Sequence, residues 1–308
     1  MHFVILGAGA VGAYYGAKLA RAKHQVTFLT RGSHLKAIRE RGLLIWSPLG
    51  DFTVPIPVEE NPEMISNVDV VVLAVKTYDN RTALPLLKPL MSSSTVVLTL
   101  QNGVDCVDEV AEVVGRHAVI AGSTYIATAR LLPGLIEQTG THQLTELGEV
   151  FDIHLGISDR VKIIGRAIAD SGIEVNTVPD GQLTLWEKFI YLSPFAGFTG
   201  AARAPIGPLW SDQSTRELFL RATIEVENVA RAEGINVSPS IRERIIQYSD
   251  ALPHSTRSSL LIDLSKGKPI EVEALQGSVV RRGRLTGVAT PIMETLYAIL
   301  KPHASGTH

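Results

Sequence analysis

Residues 1–31, MHFVILGAGAVGAYYGAKLARAKHQVTFLTR, decide how the rest of the chain is read. Residues 1–6 (MHFVIL) form an apolar run of strand type, and Gly7-Ala8-Gly9-Ala10-Val11-Gly12 follows at once. Residues 13–21 turn helical in pattern, and residues 25–30 (QVTFLT) read as a second strand. Strand, glycine-rich turn, helix and strand form the context in which G-x-G-x-x-G signals a dinucleotide-binding fold. Gly7 permits the tight turn, Gly9 lets a pyrophosphate approach the backbone, and Gly12 lets the helix pack closely on the strand. The backbone from Ala8 through Ala10 and Val11 then presents unpaired N–H groups to the phosphates at the positive helix end. Gly16, four residues on, keeps the same helix face slim. The competing reading is a glycine-rich turn in some other α/β protein.

The end of the second strand distinguishes the two nicotinamide dinucleotides. An NAD site places Asp or Glu about twenty residues after the glycines to hold the ribose 2′-OH. Here Thr30 and Arg31 stand at that place, with Ser33 and His34 behind them. Arg31 can pair with a 2′-phosphate through charge-assisted hydrogen bonds, so NADP (as NADPH) is the expected cofactor. A solvated loop arginine is the alternative for Arg31.

Composition narrows the class. A chain of 308 residues suggests two domains and a sizeable core. With 45% hydrophobic and 19% charged residues it reads as an ordinary globular protein. A formal charge of −2 gives no argument for nucleic acid or an acidic membrane surface, and neither is expected as a partner. One cysteine, Cys106, excludes an internal disulfide framework and fits a reducing cytoplasm. The N-terminus runs straight into a core strand, unlike a cleavable signal peptide. No apolar run reaches the roughly eighteen residues of a membrane helix. The nine His residues show no metal-ligand spacing, so no metal is expected.

Further along, residues 68–75 (VDVVVLAV) and 95–100 (TVVLTL) are the near-continuous apolar runs of parallel strands buried on both faces. They end at Lys76 and at Gln101-Asn102, and ligands of such sheets sit beyond those carboxyl ends. Residues 43–58 read as a hairpin or excursion at the sheet edge, residues 118–128 and 135–141 as strands, the latter followed by further β-type sequence, and residues 173–178 as the last strand. Residues 1–180 therefore form a doubly wound, Rossmann-type α/β domain. Residues 181–308 change to helices, expected at 182–197, 211–233, 239–250, 253–264, 270–282 and 291–300, and the domain is read as all-α. Such an arrangement places an active site in the cleft between the domains. The long amphipathic helix at 211–233 leaves two readings open, internal core or the face of a homodimer. The polar tail 303–308 is expected to fray.

Five blocks, taken in order, resemble the ketopantoate reductase (2-dehydropantoate 2-reductase) family nearly end to end. They are GAGAVGAYYG at 7–16, VKTYDN at 75–80, LQNGV at 100–104, LWEKF at 185–189, and SSLLIDL with KGKPIEVEALQG at 258–277. The resemblance implies an oxidoreductase that reduces a small 2-oxo acid with NADPH, giving pantoate on the route to pantothenate and coenzyme A. It implies that Lys188 is the general acid protonating the carbonyl oxygen as hydride reaches the carbon. Glu271 is implied to hydrogen-bond the substrate and to act at the cofactor ribose, leaving Glu273 as an ordinary first-turn carboxylate. Ser259, twelve residues before Glu271, matches the family's carboxylate-binding serine. Asn102 is implied to stand by nicotinamide and substrate, offering donor and acceptor together. Lys76, at the neighbouring strand tip, can place positive charge near the nicotinamide ribose and the reacting oxygen, with a solvated loop lysine as the alternative reading.

Departures from the family pattern concern the substrate. The family's asparagines four and eight residues after the lysine are Leu192 and Ala196 here, and Thr256 stands where another Asn is often found. Leucine in place of a hydrogen-bonding anchor discriminates substrates differently. Three readings follow: reduction of ketopantoate, reduction of a more apolar oxo acid or imine, or NADP sensing without turnover. A sensor has no need of a proton donor, and Lys188 and Glu271 are both retained. The cluster Arg281-Arg282-Gly283-Arg284 reads as dipole compensation or a salt-bridged surface.

Overall fold

The computed structural model describes residues 1–151 and 156–306, and the chain divides into two compact units. The first comprises Met1–Gln101 and Cys106–Gln182. In chain order its regular elements are β1 (His2–Leu6), α1 (Ala10–Arg21), β2 (Gln25–Leu29), α2 (Gly32–Arg41), β3 (Leu43–Trp46) and β4 (Phe52–Val54). Then come β5 (Val58–Glu59), β6 (Val70–Leu73), α3 (Asn80–Ala83), β7 (Val96–Thr99) and α4 (Cys106–Val114). The unit closes with β8 (Val119–Leu132), β9 (Leu135–Glu149), α5 (Asp159–Asp170) and β10 (Glu174–Thr177).

One mixed sheet runs β4-β3-β9-β8-β7-β6-β1-β2-β5, with β10 also on β9. Strands β2, β1, β6, β7 and β8 are joined by parallel pairs, as the apolar runs require. All residues of β1, β6 and β7 are buried, because helices of a doubly wound fold cover both faces of a parallel sheet. The sequence underestimates β8 and β9, which form one long antiparallel hairpin from Ile120↔Glu149 to Leu132↔Leu135. Pro133 and Gly134 alone make its turn, with Gly134 at φ +80. Residues 139–142 (TGTH) of β9 are exposed and carry no large apolar side chain, and β8 loses its full burial beyond Thr124, so these stretches lack the continuous apolar signal that marks β6 and β7. Tyr14 and Tyr15 of α1 dock on its strands: Tyr14 donates to Gln138 and Gln143, and Tyr15 shares a hydrogen bond of 2.6 Å with Thr124.

The second unit gathers the segment Asn102–Asp105 with the residues from Leu183 onward. Its elements are helices, with α6 (Gly181–Ala202) leading into it from the last residues of the first unit. There follow α7 (Ile206–Ser211), α8 (Gln213–Ala232), α9 (Ile241–Ala251), α10 (Ser259–Ser265), α11 (Ser278–Thr286) and α12 (Pro291–Leu300). The helix expected over 211–233 begins only at Gln213, because Asp212 is an N-cap whose carboxylate accepts from Thr215 N at 2.8 Å. Its apolar stripe, Phe219, Ala222, Val226 and Val229, is buried within the chain itself and carries no argument for a partner subunit. The helix expected over 253–264 is shorter, since Pro253 starts a turn closed by Thr256 N at 2.9 Å and Ser258 caps α10. The helix expected over 270–282 is interrupted by a π-turn at Glu273–Gly277, where Gly277 N reaches back to Val272 O at 2.8 Å. The tail is held rather than frayed as far as Gly306: Ile270 N donates to Ala304 O and Gly306 N to His303 O, while Thr307 and His308 lie outside the described residues. No helix among the described residues is long and apolar enough to cross a membrane.

Candidate active site

In the first unit the site is built on the loop between β1 and α1. Gly7 adopts φ +100, and a Cβ there would come within 2.5 Å of Val75 N at the end of β6. A Cβ on Gly12 would stand 2.2 Å from the Gly7 carbonyl, so the first turn of α1 closes on the loop only without a side chain. Gly16 is likewise required, because a Cβ would press on the Phe28 ring at 2.1 Å. Gly9 differs: a Cβ there would meet nothing within 4 Å. Its backbone faces open space at the start of a twelve-residue helix that has no side-chain cap and no acid in its first turn. Ala8, Ala10 and Val11 complete this stretch, and α1 leaves its leading N–H groups without intrahelical acceptors. Open backbone at the positive helix end fits a pyrophosphate.

The strand tips beside this loop are tied to each other. Gln101 Nε2 donates to Val75 O at 2.9 Å and to Asn80 Oδ1 at 2.6 Å, and Asn80 Nδ2 donates to Glu109 at 2.6 Å. This amide chain holds the segment carrying Lys76, which is half-buried just beyond β6. Gln101 lies in the same sequence block as Asn102, and only these contacts reveal its role in tying the tips. At the end of β2, Arg31 is the exposed N-cap residue of α2. The adjacent Gly32 N donates to Glu60 Oε1 at 3.4 Å. A carboxylate therefore does approach the β2 end, brought from the end of β5 by the pairing Leu29↔Glu59 rather than by spacing along the chain.

His34, one turn into α2, is 3% exposed, and its Nδ1 accepts from Gly134 N at 3.0 Å. That bond leaves the ring proton on Nε2. Burial, aided by the nearby Arg130 charge and opposed by the Ala8 backbone, pushes its pKa down to about 4. A ring that resists protonation in the fold stabilises it above the unfolded value near 6.5, and that stabilisation is lost as pH falls toward 4. The loss is on the order of 2 kcal/mol. The expected result is that His34→Gln, which keeps an acceptor for Gly134, loses less stability than wild type between pH 7 and pH 4.5. Urea midpoints at the two pH values measure this, and parallel losses would remove His34 from the acid response.

In the second unit, α6 carries Lys188, and its Nζ donates to Asn102 Oδ1 at 3.2 Å. Two residues 86 positions apart thus meet in one compact unit. Gly103 makes the approach possible: at φ +95 it lies against Ala274 of the π-turn, and a Cβ would stand 2.8 Å from the Ala274 carbonyl. Leu192 and Ala196 follow Lys188 at one-turn intervals on α6, Leu192 half-buried and Ala196 buried. Thr199, near the end of that line, shares a 2.7 Å hydrogen bond with Ser258.

Ser258 and Ser259 divide their roles. Ser258, 2% exposed, accepts from Leu261 N at 3.0 Å and caps α10, whereas Ser259 is exposed. Thr256 is half-buried, and its carbonyl accepts from Ile206 N at 2.9 Å. Glu271 is 5% exposed and leads into the π-turn, its carbonyl accepting from Leu275 N at 3.0 Å. Glu273 is engaged elsewhere, with Arg281, Lys301 and the Tyr297 hydroxyl. Among the described residues no group of three or more His, Cys, Asp or Glu is placed to hold a metal ion. Of these groups the contact directly made is that of the Lys188 ammonium with the Asn102 amide oxygen, while Glu271 is a buried carboxylate and Ser259 an exposed hydroxyl elsewhere in the same unit.

Comparison with known proteins gives a consistent picture over the whole length. The family model described as ketopantoate reductase PanE/ApbA matches residues 3–151, and that of its C-terminal part matches residues 180–304. The chain is 33% identical over 303 residues to the 2-dehydropantoate 2-reductase of Nostoc sp., covering 97% of this chain and 94% of that one. To the 2-dehydropantoate 2-reductase of Halobacterium salinarum it is 34% identical over 304 residues, covering 98% of each. The crystal structure of 2-dehydropantoate 2-reductase from Geobacter metallireducens superposes with a TM-score of 0.91 at 30% identity, covering 98% of this chain and 99% of that one.

Proposed function

We propose that this chain, which belongs to the ketopantoate reductase family and is an oxidoreductase acting on a CH–OH group, reduces 2-dehydropantoate to pantoate with NADPH. The product stands on the route to pantothenate and coenzyme A. Bound NADPH supplies the hydride that adds to the 2-oxo carbon. As that bond forms, the C=O π pair moves to oxygen, and Lys188 Nζ gives that oxygen a proton. The neutral amine regains its proton from solvent, so one hydride and one proton complete the alcohol. The observation that supports this reading is the 3.2 Å hydrogen bond from Lys188 Nζ to Asn102 Oδ1, which favours an oriented ammonium.

Glu271 hydrogen-bonds the substrate and reaches the cofactor ribose, Ser259 holds the substrate carboxylate, and Lys76 adds positive charge beside the reacting oxygen. Leu192 and Thr256 line the substrate's side chain, where Leu192 rewards apolar contact and offers no hydroxyl partner. The deciding assay follows NADPH absorbance with ketopantoate, 2-oxoisovalerate and no substrate. Saturable turnover that favours ketopantoate supports the reading, and turnover only with the more apolar acid would move the assignment to that class. Binding of NADPH with no turnover on either acid would overturn it.

NADPH selectivity rests on Arg31, with Glu60 as its opponent at the same helix start. A guanidinium–phosphate pair contributes about 1.5–3 kcal/mol. Arg31→Ala is therefore expected to raise the KM for NADPH by ~10–100-fold and that for NADH by less than ~3-fold. Equal changes for both cofactors would remove Arg31 from 2′-phosphate recognition.

A further inference from the structure

We propose that Asp105 is a positioning residue for the reduction: it pins the segment Asn102–Asp105 to α11 and so keeps the Asn102 amide oxygen at the Lys188 ammonium. The inference rests on the reading of Lys188 as the acid. Asp105 Oδ1 accepts from Ser278 Oγ at 2.9 Å and from Arg282 Nε at 2.7 Å, and Oδ2 accepts from Arg281 Nη2 at 3.2 Å. The three donors stand at i, i+3 and i+4, so one helix face grips one carboxylate. The segment is held at its centre as well, where Gly103 lies on Ala274. Arg282 extends the contact to the helix of the acid: its guanidinium lies 5.6 Å from the centre of the Trp186 ring, two residues before Lys188. Pinned at its centre and far end, the four-residue segment has little freedom left at Asn102.

Charge shows why this contact can be tested without unfolding the protein. Arg281 also pairs with Glu273, and Arg282 also pairs with Glu233, so each arginine keeps an acid when Asp105 is replaced. The Asp105 and Arg282 side chains are partly solvated, at 23% and 19% exposure. Neutralising Asp105 therefore strands no deeply buried charge, and its main consequence is a looser segment. The arginine cluster, readable in sequence as a salt-bridged surface, thus acquires a specific partner 176 and 177 residues away.

The test compares wild type, Asp105→Ala, Asp105→Asn, Asn102→Ala and the Asp105→Ala/Asn102→Ala double variant. For Asp105→Ala, kcat is expected to fall ~10–30-fold while NADPH affinity changes by less than ~3-fold. Asp105→Asn keeps an acceptor for Ser278 and should lie between Asp105→Ala and wild type. Losing the Asn102 acceptor disfavours the ammonium, so the alkaline limb of kcat should move to lower pH in both single alanine variants. The double variant should be no worse than Asn102→Ala alone, because both changes remove one interaction. A second readout needs neither cofactor nor turnover: the pH dependence of Lys188 acetylation, followed by mass spectrometry, should shift to lower pH in Asp105→Ala. Additive losses in the cycle, or an unmoved acetylation profile in folded Asp105→Ala and Asp105→Asn, would overturn the inference. Absence of turnover in wild type would instead count against the parent reading, and the acetylation profile would still decide on Asp105.

Discussion

Lys188→Ala is expected to lower kcat for 2-oxo acid reduction by ~10³-fold, with NADPH affinity within ~2-fold of wild type. The asymmetry follows from when the ammonium is needed. Hydride addition turns a neutral carbonyl into an alkoxide, and only then does a proton donor gain strongly from being in place. Removing the donor leaves water to supply the proton, which forfeits the ~10²–10⁴-fold typical of a positioned acid and the charge stabilisation beside it. The cofactor's phosphates lie on the glycine loop of the other unit under the proposed reading, so their binding does not use this side chain. Lys188 is half-buried on a long helix, and its truncation removes no core volume. Stopped-flow reduction and fluorescence titration with NADPH separate the two effects. Equal losses in kcat and in NADPH affinity would show that Lys188 binds cofactor rather than donating the proton.

The second large effect contrasts two glycines three residues apart. Gly12→Ala places a methyl 2.2 Å from the Gly7 carbonyl, a contact that rigid backbone on both sides cannot relieve. We expect a loss of ~2–4 kcal/mol in unfolding free energy and at least ~100-fold in NADPH affinity, since α1 must shift away from the loop. Gly9→Ala meets no atom within 4 Å, so the protein itself accommodates it. Its methyl instead occupies the space through which a pyrophosphate would approach. Stability should change by less than ~1 kcal/mol while NADPH affinity falls ~10–100-fold. Urea unfolding and cofactor titration on both variants test the pair. If Gly9→Ala bound NADPH as wild type does, the open backbone at Gly9 would not be the phosphate seat.

Much of this architecture is legible residue by residue. A buried parallel strand must be apolar on both faces, so VVVL at β6 and VVLT at β7 announce themselves. The glycine loop is equally local, because Gly7 and Gly12 answer contacts made within or beside one β-α-β unit. Breaks in the helical half were less legible. Asp212 reads as one more polar residue until it is seen capping Thr215, and the π-turn at Glu273–Gly277 has no period of its own. Ser258 and Ser259 are neighbours of identical chemistry, and only burial shows that one caps a helix while the other meets solvent.

The sequence by itself determined the Rossmann-type first half, the helical second half, the family and the reaction class, because these depend on short-range pattern and on residue types at fixed spacing. Tertiary structure alone decided which distant groups meet. It joined Asn102 to Lys188 and Asp105 to Arg281 and Arg282, and it brought Glu60 to the start of α2 beside Arg31. Such contacts close loops of tens to hundreds of residues, and no local preference encodes their partners. They form where packing of the elements brings those groups within reach, the Lys188–Asn102 contact part-buried and the Asp105 and Glu60 contacts partly open to solvent.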